Sequence, residues 1–155
     1  MDKQLIAEAM EKVEIVDIYL YGSTVSRHDE IHQNNIPEGM AQQDKLAVSV
    51  DLLEPIEAGE DGADSLLRAR IDYGVRFVLL SKAGDEDSVH VLAEITACFA
   101  ATYRYQDGLS EAAISEFMRY NAVYNTWPFW REHALRMSAE ARLPRPTIPL
   151  MKPVG

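Results

Sequence analysis

Leu67-Arg68-Ala69-Arg70-Ile71-Asp72-Tyr73-Gly74-Val75-Arg76-Phe77-Val78-Leu79 puts an apolar residue at every second position and a charged one at most of the places between. Side chains of a β-strand alternate between its faces, so this stretch predicts a long strand with one buried and one polar face. Past the turn Ala83-Gly84-Asp85-Glu86-Asp87, Val89, Val91, Ala93, Ile95, Ala97 and Phe99 alternate with His90, Leu92, Glu94 and Thr96. The connection is too short for a parallel crossover, which makes the two strands antiparallel. Upstream, Leu46, Val48, Val50 and Leu52 alternate with Ala47, Ser49 and Asp51, and the acidic turn Glu57 to Asp64 joins that strand to the central one.

Working further outward, Val13 to Tyr21 is rich in β-branched and aromatic residues and predicts another strand. Val13, Ile15, Tyr19 and Tyr21 point one way and Val16, Ile18 and Leu20 the other, so both faces should be covered. Lys3 to Lys12 is weakly helical, and polar Ser26 to Asp44, with Asn34-Asn35, Pro37 and Gly39, reads as a long loop. After Asp107-Gly108, Ser110 is placed to cap a helix bearing Glu111 in its first turn and an apolar stripe of Ile114, Phe117, Met118 and Ala122. Pro128 suits the first turn of a second helix, whose face carries Trp130, Ala134, Met137 and Ala141 and which ends at Pro144. The fold predicted is α+β: a four-stranded antiparallel sheet, meander or Greek-key-like, followed by two C-terminal helices. A single domain over 1–155 is expected, with 144–155 as a proline-rich extended arm presenting Ile148 and Leu150.

Composition narrows the function. The 155 residues carry a formal net charge of −10 and a pI near 4.8, a field that repels phosphate backbones and disfavours nucleic acid as a partner. The single cysteine, Cys98, lies in an apolar strand pattern and reads as a small buried hydrophobe. With no apolar run near the ~20 residues that span a bilayer and no basic-then-apolar leader, a cytoplasmic protein without membrane insertion is expected.

Catalytic and metal signatures do not emerge. His28 and His32 have i, i+4 spacing but fall in the polar loop, and His90 and His133 are isolated. Glu57, Glu60, Asp61 and Asp64 lack the spaced donors of a calcium loop, and Gly22 and Gly74 are lone glycines in strand contexts. No enzyme activity, metal or cofactor is therefore expected. The positive signal is apolar: Tyr103, Tyr105, Tyr120, Tyr124, Trp127, Phe129 and Trp130 crowd one short span. Such aromatics form either core or subunit interface, or an adaptable binding surface.

The segment Trp127-Pro128-Phe129-Trp130-Arg131-Glu132, the strand stretch Val91-Leu92-Ala93-Glu94 and the apolar exit Leu143-Pro144 to Leu150 resemble the SecB family of export chaperones. That resemblance, spanning about Val13 to Leu150, implies a homotetramer built as a dimer of dimers that holds unfolded preprotein or another non-native client in apolar grooves without ATP. The implied groove residues are Tyr19, Tyr21, Tyr103, Phe117, Tyr120, Trp127, Trp130, Leu143, Ile148 and Leu150. Leu92 and Glu94 match positions that dock the SecA motor, whereas the family's acidic first-strand positions are replaced by Gly22 and Ser26. The family usually continues into another helix and an acidic tail, where this sequence stops at Gly155. A branch of SecB-like proteins serves toxin–antitoxin pairs, so an antitoxin is the alternative client. Readings from other classes are a small-molecule enzyme or ligand-binding domain, using Glu94, His90 and His133, and a structural oligomer subunit whose aromatics serve assembly alone.

Overall fold

The computed structural model describes residues 2–53, 65–80, 89–106 and 108–151. In chain order the elements are α1 (Lys3–Lys12), β1 (Val13–Arg27), β2 (Met40–Leu53), β3 (Ser65–Leu80), β4 (Val89–Tyr105), α2 (Glu111–Phe117), a π-helical turn (Met118–Ala122) and α3 (Val123–Glu140). The strands lie in the order β1-β4-β3-β2. Thus β2, β3 and β4 form the expected meander, and β1 returns to pair with β4 in the Greek-key manner. The turns predicted over 57–64 and 83–87 lie outside the described residues.

The alternation that predicts β3 is the alternation of its burial. Leu67, Ala69, Ile71, Tyr73, Val75 and Phe77 are each at most 2% exposed, while Arg68, Arg70 and Arg76 are partly exposed and Asp72 is exposed. β4 repeats the pattern through Ala93, Ile95, Ala97, Phe99, Ala101 and Tyr103.

By its contacts the chain forms two compact units, with strands and α3 passing from one to the other. The first comprises Met1–Tyr21, Val48–Ile71 and Phe99–Trp127. Here α1 packs on α2, and Tyr103 meets Phe117 edge to face at 5.3 Å. Asp2 caps α1 by accepting from the amides of Gln4 (3.0 Å) and Leu5 (3.3 Å), and Ser110 caps α2 by accepting from the amide of Ala113 (3.2 Å). The second unit comprises Gly22–Ala47, Asp72–Cys98 and Pro128–Gly155. Its centre is a parallel stack of Tyr73 on Trp130, centroids 5.4 Å apart and planes 6° apart, an offset geometry that adds to the area the two rings bury.

Three expectations need correction. The loop read over Ser26 to Asp44 is shorter, because β1 runs to Arg27 and β2 starts at Met40. Backbone groups make a ladder whatever the side chains are, so a polar stretch such as Gln42-Gln43-Asp44 pairs without showing apolar alternation. Secondly, β1 is an edge strand and is not covered on both faces: Ile15, Val16, Tyr19, Leu20 and Tyr21 are between 38% and 50% exposed. Thirdly, Pro128 does not open a helix but lies inside α3. It shares the exposed side of α3 with Tyr124, four residues back, so the carbonyl that loses its donor can be hydrated.

Helix α3 closes with the amide of Leu143 donating to the carbonyl of Ser138 (2.9 Å) and that of Arg142 to Ala139 (3.1 Å). Arg142 occupies the left-handed region, φ 54°, in the place where such caps favour glycine. The Arg27 guanidinium donates to the carbonyls of Ala141 and Ile31, and the carbonyl of Arg142 accepts from the amide of Gln33 (2.8 Å), so the helix end is tied to the chain following β1. Two stability outcomes are expected in urea titrations. Arg142→Gly should raise stability by about 1 kcal/mol by removing the left-handed penalty. Trp130→Ala should cost ~3–5 kcal/mol through the void left under Tyr73.

Candidate client-binding surfaces

Large apolar side chains left in solvent concentrate on the two edge strands. In the first unit these are Ile15, Val16, Tyr19, Leu20 and Tyr21 on β1, with Val48 and Val50 on β2. In the second they include Val25 on β1 and Leu46 on β2, together with Phe129 and Leu150. An edge strand also offers unpaired backbone donors and acceptors, so apolar side chains along it make a template for another extended chain.

The predicted groove residues separate by burial. Tyr19 (38%), Tyr21 (50%) and Leu150 (74%) are exposed, and Tyr120 and Trp127 are partly exposed. Tyr103, Phe117, Trp130, Leu143 and Ile148 are all buried, none more than 7% exposed. Tyr103 receives a hydrogen bond from the Asn125 side chain at 3.0 Å, and burial, partly offset by that bond, raises its pKa. Ile148 is held through its carbonyl, which accepts from Arg131 Nε at 2.9 Å. The segment that follows α3 is docked at Thr147, where the Gln42 side chain donates to the carbonyl (3.0 Å) and accepts from the amide (2.8 Å).

Leu92 and Glu94 fall on β4 in the second unit. Leu92 is buried at 2%, and its carbonyl accepts from the amides of His28 (2.8 Å) and Asp29 (3.2 Å). Glu94 lines a broad depression of about 610 Å³ together with Gln43, Asp44, Lys45, Gly74, Arg76 and Thr96. The depression is of mixed charge and part apolar, through Val75, with Arg76 Nε donating to the Gln43 side chain at 2.8 Å. His90, exposed, pairs with Asp29, and His133 is buried against Trp130. The two histidines are thus engaged separately, one with a surface carboxylate and one in the core. Among the described residues no group of three or more His, Cys, Asp or Glu side chains is arranged to hold a metal ion.

Sequence reading missed a cluster on the polar side of β3. Arg70 Nε lies 3.0 Å from the Asp51 carboxylate and Arg68 Nη2 3.4 Å from it, and the ring of Tyr21 lies against both guanidiniums. The spacing was the available signal, since strand residues two apart share a face. What hid it was Tyr21, distant in sequence.

The architecture defines a class: the fold is that of the SecB-like chaperones. The SecB-like chaperone Rv1957 of Mycobacterium tuberculosis, solved in complex with a ChAD peptide from the Rv1956 HigA1 antitoxin, matches with a TM-score of 0.75, covering 99% of this chain and 100% of that one at 18% identity. A protein of unknown function from Streptococcus agalactiae matches at a TM-score of 0.46 and 12% identity, covering 89% and 97% of the two chains. No family model and no curated protein matches the sequence. No helix among the described residues is long and apolar enough to cross a membrane.

His133 provides a pH test of the buried side of α3. Burial, reinforced by Arg136 and opposed by Glu132, lowers its pKa from the ordinary 6.5. The unfolded chain therefore takes up a proton near pH 6.5 before the folded chain does, and stability falls as pH drops below that value. Urea midpoints measured between pH 8 and pH 5.5 should decline on the acid side, and the decline should be shallower in His133→Leu.

Proposed function

We propose that this protein is a non-catalytic, ATP-independent chaperone that holds non-native polypeptide in extended form, with the antitoxin of a toxin–antitoxin pair as its client. The observation that carries the reading is the row of half-exposed aromatic and aliphatic side chains on the edge strands, on a fold shared with a SecB-like chaperone solved with an antitoxin peptide. A non-native segment exposes unpaired backbone groups and alternating apolar side chains; an edge strand flanked by tyrosines complements both without demanding one sequence. Tyr19 and Tyr21 make the direct contacts on the first unit in this proposal, and Leu150 offers a separate apolar contact on the second. Tyr103 and Phe117 in the first unit, and Trp130, Leu143 and Ile148 in the second, are buried and serve to hold the elements of their own unit.

Apolar side chains exposed on edge strands also suit a second copy of the chain, which supports the homotetramer as the working assembly. The acidic net charge keeps such a carrier soluble in a cytoplasmic setting. A second reading, generic export of unfolded preprotein with SecA as partner, draws on Glu94 beside Lys45 and Arg76 in the open depression of the second unit.

Mixing the purified protein with a chemically unfolded client should suppress light scattering at equimolar assembly, and an antitoxin peptide should compete for the same surface. Tyr19→Ser combined with Tyr21→Ser should weaken peptide binding about tenfold or more, as loss of aromatic anchors does, with the urea midpoint lowered but the fold retained, because both side chains are already partly exposed. Scattering that is unaffected by the wild-type protein rejects the chaperone reading. Competition by an antitoxin peptide but not by export-signal peptides separates the two client classes.

A further inference from the structure

Arg68 and Arg70 project from β3 on the side opposite the buried Leu67, Ala69 and Ile71. One carboxylate, Asp51, serves both: it is 3.4 Å from Arg68 Nη2 and 3.0 Å from Arg70 Nε. The ring of Tyr21 lies 5.3 Å from the Arg68 guanidinium carbon and 5.6 Å from that of Arg70. The Arg68 pKa is raised, chiefly by Tyr19 and also by Asp51 and Tyr21, against the opposing effect of desolvation. All five residues belong to the first unit. Two arginines against one aspartate leave a net positive charge, in a chain whose formal total is −10.

Each guanidinium has five donors in a fixed fork, and one carboxylate engages only a few of the ten; both Nε groups are buried, so the terminal nitrogens are what an incoming acceptor meets. The arginine side chains are only 23% and 33% exposed, so packing already limits their motion. An incoming acceptor therefore meets donors whose ordering cost is largely met in advance. The acidity of the rest of the chain does not cancel this, because at physiological ionic strength exposed charges beyond about 8 Å are largely screened.

We propose that Arg68 and Arg70 read a carboxylate in the bound client, so that the preferred segment is extended and apolar with an Asp or Glu set among its apolar residues. Its apolar side chains lie on Tyr19 and Tyr21, and its carboxylate bonds the guanidinium edges that Asp51 leaves open. The apolar contacts supply affinity and the ionic contact fixes register, the usual division between the two kinds of force at an interface. This rests on the chaperone reading above, and it adds the chemical class of client.

The test uses two dye-labelled peptides of alternating leucine and serine, one with a central Glu and its twin with Gln, titrated against the whole protein by fluorescence anisotropy. The readout is the ratio of the two dissociation constants, which does not depend on the fraction of protein folded. Wild type should favour the Glu peptide roughly three- to tenfold at physiological ionic strength, the range of a partly exposed charge-assisted bond. The ratio should approach one in Arg70→Gln and in high salt. Asp51→Asn frees both guanidiniums and should increase the ratio, an outcome that a destabilised fold would not produce. Binding of both peptides with equal affinity by wild type, or an unchanged ratio in both Arg70→Gln and Asp51→Asn, overturns the inference while leaving the chaperone reading standing. Binding of neither peptide overturns both. An Arg70→Gln protein that changes oligomeric state with its peptide ratio intact overturns it too, because the pair would then engage an acid of a second copy.

Discussion

The structure depends on one constraint: every second side chain of β3 and β4 must be kept from water along strands of 16 and 17 residues. At about 3.3 Å per residue such strands run on the order of 50 Å, longer than the 18 residues of α3, which at about 1.5 Å per residue extend some 27 Å. No single helix among the described residues can cover them. Two aromatic centres form accordingly, Tyr103 with Phe117 in one unit and Tyr73 with Trp130 in the other. The chain between them is helical almost throughout from Glu111 to Glu140, with a π turn at Met118–Ala122. That turn inserts slack in the helical register, and Thr126 follows it with its hydroxyl bonded back to the carbonyl of Ala122 at 2.8 Å.

Covering the central strands leaves the outer ones uncovered. β1 and β2 are the edges, and their apolar side chains stay in solvent. Natural proteins commonly blunt an edge with charges, proline or a covering element. On β1 the described residues include Asp17 and Glu14, but Ile15, Val16, Tyr19, Leu20 and Tyr21 form a nearly unbroken apolar run. An edge of this kind is a liability in a solitary monomer and a working surface in a protein that binds extended chains, which ties the proposed function to the sheet order. The arginine cluster adds chemical discrimination to that surface without enlarging it.

Much of the fold was legible because period-two patterning reports directly on strands with one dry face: Leu67 to Leu79 and Val89 to Phe99 are where β3 and β4 lie. Capping chemistry was equally readable, since Ser110 does cap α2. Pro128 misled because proline is usual in a first turn, and its accommodation inside α3 depends on a solvent-facing carbonyl that local sequence does not reveal. β2 was read short at its polar end for a related reason, its ladder being made by backbone atoms that every residue shares. Among the site residues, chemical type was legible and exposure was not: Tyr19 and Tyr103 are the same residue in similar strand contexts, yet one is 38% exposed and the other fully buried.

By itself the sequence determined which segments are strands and helices, the antiparallel meander, the acidic character and the abundance of aromatic side chains, because these follow from local periodicity, short connections and composition. Only the tertiary structure decided which strands are edges, and with that which aromatics face water, which pack in the two cores, and that Tyr19, Tyr21, Asp51, Arg68 and Arg70 meet. The physical reason is that burial and charge pairing are properties of neighbours brought together by strand pairing, β2 with β3 for Asp51 and the arginines and β1 with β4 for Tyr19 and Tyr21. The β1–β4 pairing joins residues as far apart in sequence as Thr24 and Thr96, 72 positions, and no local pattern encodes it.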